Sequence, residues 1–272
     1  MHEIKKNDIV TRKSYQNDVV FYVKNILKLS NKQKIAILKG IELRIEADAP
    51  VEDLQLITKE KIIKYEKNFE NIANNINVKE KNKNYRRKEI IYTGRILHLD
   101  GDKRYSEKSV KYYRKMGLQA MVKNISESKQ SKVVYKLLSI YNPDILVITG
   151  HDGMIKKGVR YNDLLNYRNS KYFISTVKEA RRYDKTHGNN LVIFAGACQS
   201  YFEAIMEAGA NFASSPARIL IDFLDPLIVA KNIAITDKNK YINIDDFVNE
   251  LRDGKKGING IGAIGKRNVI FL

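Results

Sequence analysis

Apolar and polar positions follow two different rhythms along the chain. Up to about residue 57 the apolar residues come in short runs. Asp8 to Arg12 is one, Val19-Val20-Phe21-Tyr22-Val23 the next, then Ile35-Ala36-Ile37-Leu38 and Ile41 to Ile45. Turn residues separate them at Gln16-Asn17-Asp18 and Lys39-Gly40, and Ala49-Pro50 closes the segment. Short strands at this spacing predict a small SH3-like β-barrel over residues 1–57.

From residue 91 the rhythm changes. Ile96 to Leu99 and Ala120 to Val122 read as strands. Ile145 to Thr149 and Leu191 to Ala195 read as strands that are apolar on both faces. Helical stretches lie between and after them: Ser106 to Met116, stopped by Gly117; Lys129 to Tyr141, ended by Pro143; Ser170 to Tyr183; and Tyr201 to Glu207. Val133, Val134, Leu137, Leu138 and Tyr141 recur at helical spacing. The alternation predicts an α/β domain over residues 91–272, with a mainly parallel sheet flanked by helices on both faces.

Residues 58–90 join the two parts. Lys59 to Phe69 carries a broken apolar stripe, and Asn71 to Lys88 is rich in Asn and Lys. Six basic residues against one acidic residue lie between Lys79 and Lys88. Such a run reads as a basic, partly helical linker. A polyanion-binding arm and a cleavage site at Arg86-Arg87 are its functional alternatives.

Composition narrows the chemistry. Cys198 is the only cysteine, so neither an intrachain disulfide nor a cysteine-cluster metal site is available. His2, His98, His151 and His187 show no metal-ligand spacing, and no metal or organic cofactor is expected. No segment reaches the roughly 18 to 20 apolar residues that span a bilayer, so a reducing, cytoplasmic setting is the expectation. The net charge of +18 opens a second reading: a non-catalytic basic module that binds nucleic acid or protein. The aromatics are scattered at core-like spacing rather than along a basic stripe, so nucleic acid is not the expected partner.

One constellation carries chemistry. Ile145 to Gly150 runs into His151-Asp152-Gly153, and Leu191 to Gly196 runs into Ala197-Cys198-Gln199-Ser200. Parallel sheets place ligands at the carboxyl ends of their strands. If these strands are neighbours, about 4.8 Å apart, the thiol and the imidazole share one edge. A free thiol is only a few per cent thiolate at neutral pH, and an adjacent imidazole supplies the missing base. Cys198 is read as opening the following helix, whose dipole favours the anion. The backbone N–H groups of Gly153 and Cys198 are candidate oxyanion donors. Ser200 is a poorer nucleophile at neutral pH than Cys198.

An apolar strand ending in His near a Gly, a spacer, and an apolar strand ending in Ala-Cys resembles the signature of the caspase-like (clan CD) cysteine peptidases. Their usual His-Gly pair is interrupted here by Asp152. A closer likeness spans both parts of the chain. Asn7 to Tyr15, Leu38-Lys39-Gly40, Ala47 to Pro50, Leu97 to Asp102, Thr149 to Gly153, Gly196 to Ala204 and Ala213 to Pro216 resemble the YabG-type sporulation-specific proteases of endospore-forming bacteria. That resemblance implies an endopeptidase that trims spore coat and cortex-related proteins after Arg or Lys. It implies action in the sporulating cell, with association to the spore coat and possible self-cleavage. It maps the catalytic pair onto His151 and Cys198. A basic P1 side chain calls for a carboxylate in its pocket. Asp100 and Asp102, after the first strand, and Asp152, beside the histidine, are the candidate substrate-binding acids. Asp152 has two further readings, orienting the histidine or shaping its loop. Asn211 to Pro216 is read as the next strand or a loop at the substrate wall.

Overall fold

The computed structural model describes residues 3–58, 60, 89–156 and 158–271. The expected helix from Lys59 and nearly all of the basic linker, including Arg86-Arg87, lie outside the described residues. The chain divides into two compact units, Met1–Ile76 and Asn77–Leu272.

The first unit is one antiparallel sheet built from β1 (Ile9–Arg12), β2 (Phe21–Lys28), β3 (Lys34–Gly40), β4 (Glu46–Pro50) and β5 (Leu54–Leu56). Its order is β4-β3-β2-β1-β5. Val10, Phe21, Val23, Ala36, Leu38, Ala49 and Leu54 form its buried side. The closed barrel expected from the sequence is not formed, because closure requires pairing of the edge strands β4 and β5 and the ladder ends at them. Ile41 to Ile45 is a connection rather than a strand. The Gly40 N–H bonds the Ile45 carbonyl at 2.9 Å, and a Cβ on Gly40 would lie 2.2 Å from the Leu43 carbonyl oxygen. The chain therefore turns tightly there, and Ala49-Pro50 ends β4 instead of following it.

The second unit is built on a six-stranded sheet. Its strands are β7 (Ile96–Asp100), β8 (Ala120–Asn124), β9 (Ile145–Thr149), β10 (Val192–Ala195), β11 (Phe212–Ser214) and β13 (Ile258–Gly260). The order is β13-β11-β10-β9-β7-β8, and only the β11–β13 pair is antiparallel. Two small antiparallel pairs accompany it: β6 (Glu89–Tyr92) with β15 (Asn268–Phe271), and β12 (Tyr241–Ile242) with β14 (Ala263–Ile264). The expected strand near Asn211 is β11.

Among the described residues five helices flank the sheet: α1 (Lys103–Lys115), α2 (Glu127–Tyr141), α3 (Ser170–His187), α4 (Phe202–Glu207) and α5 (Asp225–Ile235). Alternate strand residues sort them. Leu97, Leu99, Leu146, Ile148, Ile193 and Ala195 face one way and pack against Val134 and Leu138 of α2, Phe173, Val177 and Ala180 of α3, and Ile205 of α4. The intervening residues face α1 and α5; His98 on β7 meets Tyr113 of α1 at 3.1 Å. His187 lies beyond the helix end expected at Tyr183, but it is the last residue of α3, stacked on Tyr183 with ring centroids 4.1 Å apart. The helix runs one turn past Tyr183 because Gly188, at φ +64°, is the first residue able to take the left-handed cap. Among the described residues no helix is long and apolar enough to cross a membrane.

Candidate active site

The strand order reverses between β7 and β9, so the carboxyl ends of β7, β9 and β10 flank a topological switch point. The register sets three side chains in line. Asp100 pairs with Thr149, so Asp102 and His151 each stand two residues beyond a matched pair. Ile148 pairs with Ala195, so His151 and Cys198 each stand three residues beyond the next. Asp102, His151 and Cys198 thus occupy equivalent positions past three adjacent parallel strands.

Backbone geometry shapes this edge. Gly101 and Gly150 flank the buried carboxylate of Glu127, and a Cβ on either would lie within 2.4 Å of it. Glu127 accepts the His151 main-chain N–H at 2.9 Å. Gly196 turns the chain after β10 at φ +115°, a value that suits glycine. Gln199 follows at φ +53°. The helix after Cys198 does not begin at the thiol as expected: it starts at Phe202 and is only six residues long. Its dipole therefore does not act at the thiol as expected.

The sulfur is buried. The Ile221 N–H donates to it at 3.0 Å, and the Ile221 carbonyl lies 3.6 Å away. Two residues on, Phe223 packs on Tyr105, and Tyr105 stacks on the His151 ring at 5.1 Å and 15°. One short segment, 221–223, therefore spans the cysteine side and the histidine side of the edge.

The three candidate substrate-binding acids are all buried and engaged. Asp152 is fully buried. Its Oδ1 accepts the N–H groups of Gly153 (2.9 Å) and Asn169 (2.8 Å), and its Oδ2 accepts the hydroxyls of Ser170 (2.5 Å) and Ser200 (2.9 Å). Ser200 in turn accepts the Ala197 N–H, and Ser170 accepts the Tyr201 N–H. One carboxylate thus ties the histidine loop, the start of α3 and the cysteine loop together. Burial pushes Asp152 up to about 6, against the bonds from Ser170, Asn169, Gly153 and Ser200. The Gly153 N–H, one of the two expected oxyanion donors, is already bonded to this carboxylate. The Ser200 hydroxyl is likewise engaged, with Asp152 and the Ala197 N–H.

Asp100 accepts from the Thr149 hydroxyl at 2.9 Å and from the Asp102 N–H at 2.8 Å. Asp102 caps α1, its Oδ1 accepting from the Arg104 and Tyr105 N–H groups. Its Oδ2 lies 3.9 Å from His151 Nδ1. Sequence reasoning missed Glu127, Asn169, Ser170 and Ile221. Their partners lie far away along the chain, and no local motif announces them. Among the described residues no cluster of three or more His, Cys, Asp or Glu side chains is set to hold a metal ion.

Asp225 is a second buried carboxylate with a raised pKa. It is 2% exposed, one oxygen takes the Arg252 N–H at 3.2 Å, and Oδ2 has no hydrogen-bond partner among the described residues. Burial, with Asp222 and Asp253 nearby, pushes it from 3.8 up to about 7. A raised acid favours the folded state at low pH, and that stability is lost as pH rises through the folded value. Asp225→Asn is expected to melt above the parent at pH 8 and level with it near pH 4, as thermal unfolding at both values would register. Equal melting at pH 8 would contradict the assignment.

The fold is thus a mainly parallel α/β sheet that carries a thiol and an imidazole at matched positions past neighbouring strands, and its class is that of a peptidase. The chain belongs to the YabG peptidase U57 family, whose profile matches residues 5–271. It is 39% identical over 274 residues to the sporulation-specific protease YabG of Bacillus subtilis (strain 168), an alignment that covers 95% of this chain and 94% of the relative.

Proposed function

We propose that this peptidase is a cysteine endopeptidase, with Cys198 as nucleophile and His151 as general base and acid. The observation that carries the reading is the β9–β10 register, which sets the only cysteine and a buried histidine at matched positions on the switch-point edge. The parallel strand order around that edge supports a caspase-like core.

In the proposed cycle the imidazole takes the thiol proton as sulfur bonds to the scissile carbonyl carbon. The Cys198 N–H receives the developing oxyanion, a contribution worth roughly 10²–10³ in rate. The imidazolium then protonates the leaving amine, and water hydrolyses the thioester with the same imidazole as base. Substrate reaches the sulfur when the segment carrying Ile221 moves aside. The relative's name directs the proposal to sporulation; spore coat and cortex-related proteins, which the resemblance in the sequence implies, are the proposed substrates, in the cytoplasm of the sporulating cell and at the coat.

Cleavage after Arg or Lys is part of the proposal. The acid in the pocket is reassigned, because Asp100, Asp102 and Asp152 are all buried inside the protein. Asp222 is half-buried and adjoins Ile221, which holds the sulfur. It is proposed as the partner of the basic side chain, and the Arg86-Arg87 pair fits the same rule as a self-cleavage site. The test compares peptides with Arg and with its neutral isostere citrulline at P1. The parent is expected to cleave the Arg peptide and Asp222→Asn to lose roughly 10² of that preference. Asn still accepts the Leu224 N–H that Asp222 holds at 2.8 Å. Equal cleavage of both peptides by the parent would remove Asp222 from the pocket, and no hydrolysis of any peptide or spore protein would overturn the endopeptidase reading.

A further inference from the structure

The strand register that aligns His151 with Cys198 also aligns Asp102 with His151, on the other side of β9. The two carboxylate oxygens of Asp102 do different things. Oδ1 is spent on the first turn of α1, while Oδ2 lies 3.9 Å from His151 Nδ1. The imidazole and the carboxylate are both buried. Around His151, Tyr105 stacks flat on the ring, Glu127 accepts the main-chain N–H, and the Asn169 side-chain amide donates to the carbonyl at 2.8 Å. The Asp102 carboxylate faces a ring nitrogen, whereas Glu127 and Asn169 bond the His151 backbone.

Asp102 itself stands on a rigid base. Asp100 accepts its N–H, Thr149 donates to Asp100, and the Thr149 hydroxyl meets His98 Nε2 at 2.7 Å. Tyr113 of α1 closes the chain on His98 Nδ1. This buried polar relay runs across β7 and β9 to the edge and fixes where the Asp102 carboxylate can sit.

We propose that Asp102 is the positioning residue for His151: its carboxylate holds Nδ1 protonated and leaves Nε2 for the thiol side. The inference rests on the thiol reading above. A carboxylate in this place selects one imidazole tautomer and favours the imidazolium formed during attack. Apo-state spacings of this kind shorten when substrate closes the site.

The test uses the full chain with Asp102→Ser and Asp102→Asn. Serine and asparagine are good helix N-caps, so both variants keep the cap of α1 and lose the charge. Melting temperature, kcat and KM for the Arg-P1 and citrulline-P1 peptides, and the NMR titration of the His151 ring are measured, beside Cys198→Ala as reference. Expected results are a kcat lower by about 10² or more, an equal loss on both peptides, little change in KM, and a His151 titration midpoint at lower pH than in the parent. An unchanged kcat with an unchanged titration would overturn the proposal. So would a loss confined to the Arg peptide, which would return Asp102 to the substrate pocket. If the serine variant fails to fold, the His151 titration in the asparagine variant decides by the same criterion. Parent-level turnover by Cys198→Ala would instead defeat the thiol reading, whatever Asp102 does.

Discussion

Cys198→Ala is expected to lose peptide hydrolysis by ~10³-fold or more while keeping the parent's fold. The size follows from what a single atom does in the proposed cycle. Without sulfur no thioester forms, and the remaining groups only bind and polarise the carbonyl. The structural cost is small, because the side chain is short and its removal vacates little buried volume, at the loss of the sulfur's bonds with the Ile221 backbone. Cys198→Ser sharpens the point. It is nearly isosteric and keeps a hydroxyl able to bond Ile221, yet it replaces a group that is a few per cent ionised at neutral pH by one that is not. A similar loss is expected for it. Initial rates on one peptide, with circular dichroism to verify folding, check both. Serine-variant activity near the parent's would show that the alcohol suffices and that sulfur is not the nucleophile.

Asp152→Ala is expected to damage fold and activity together. The substitution orphans two backbone N–H groups and two hydroxyls in a fully buried place, at about 1–3 kcal/mol each. Against this, it removes the cost of ionising a buried carboxylate. With the folded pKa near 6 and the unfolded near 3.8, that cost is roughly 3 kcal/mol above pH 6. The lost bonds outweigh the relief, so the variant is destabilised throughout. The deficit should be largest near pH 4 and shrink as pH rises through 6, since only the parent pays for the charge. Denaturant unfolding at several pH values measures it. Asp152→Asn keeps an acceptor for the backbone donors and lets the serine hydroxyls turn to accept its amide. It should retain most of the activity and match or exceed the parent's stability at pH 8. Were Asp152 a substrate-binding acid, the asparagine variant would lose selectivity for a basic side chain and keep its selectivity-independent rate.

The parts of this architecture that were legible in the sequence are those decided locally. Ile145 to Thr149 and Leu191 to Ala195 are too apolar to be anything but doubly covered strands, and the structure buries every one of these residues. Helix α2 ends where Asn142 takes a left-handed conformation ahead of Pro143. That β9 and β10 are parallel neighbours, with His151 and Cys198 at matching offsets beyond them, was readable from two strands of the same kind.

What escaped depended on partners far along the chain. Closure of the N-terminal sheet would need β4 and β5 to pair, and no local pattern reports whether two edges meet. The start of α4 at Phe202 is set by the Ser200–Asp152 and Tyr201–Ser170 bonds, which hold residues 198–201 in a turn that a helical pattern does not reveal. Asp100, Asp102 and Asp152 look alike in sequence, as acids after strands. Burial separates them into a strand-end anchor, a helix cap facing His151, and a clamp between two loops. Glu127, 24 residues before His151, carries no sign in the sequence that its carboxylate fills the space left by Gly101 and Gly150.

The central claim is that sulfur carries the acyl group and the neighbouring imidazole enables it. Acid quenching of the enzyme during turnover of a slowly hydrolysed peptide ester, followed by mass mapping, reads this directly. The account predicts an acyl group on the fragment containing Cys198, absent from both Cys198→Ala and His151→Ala. Acylation of another residue, or sustained turnover with Cys198 never acylated, would contradict it.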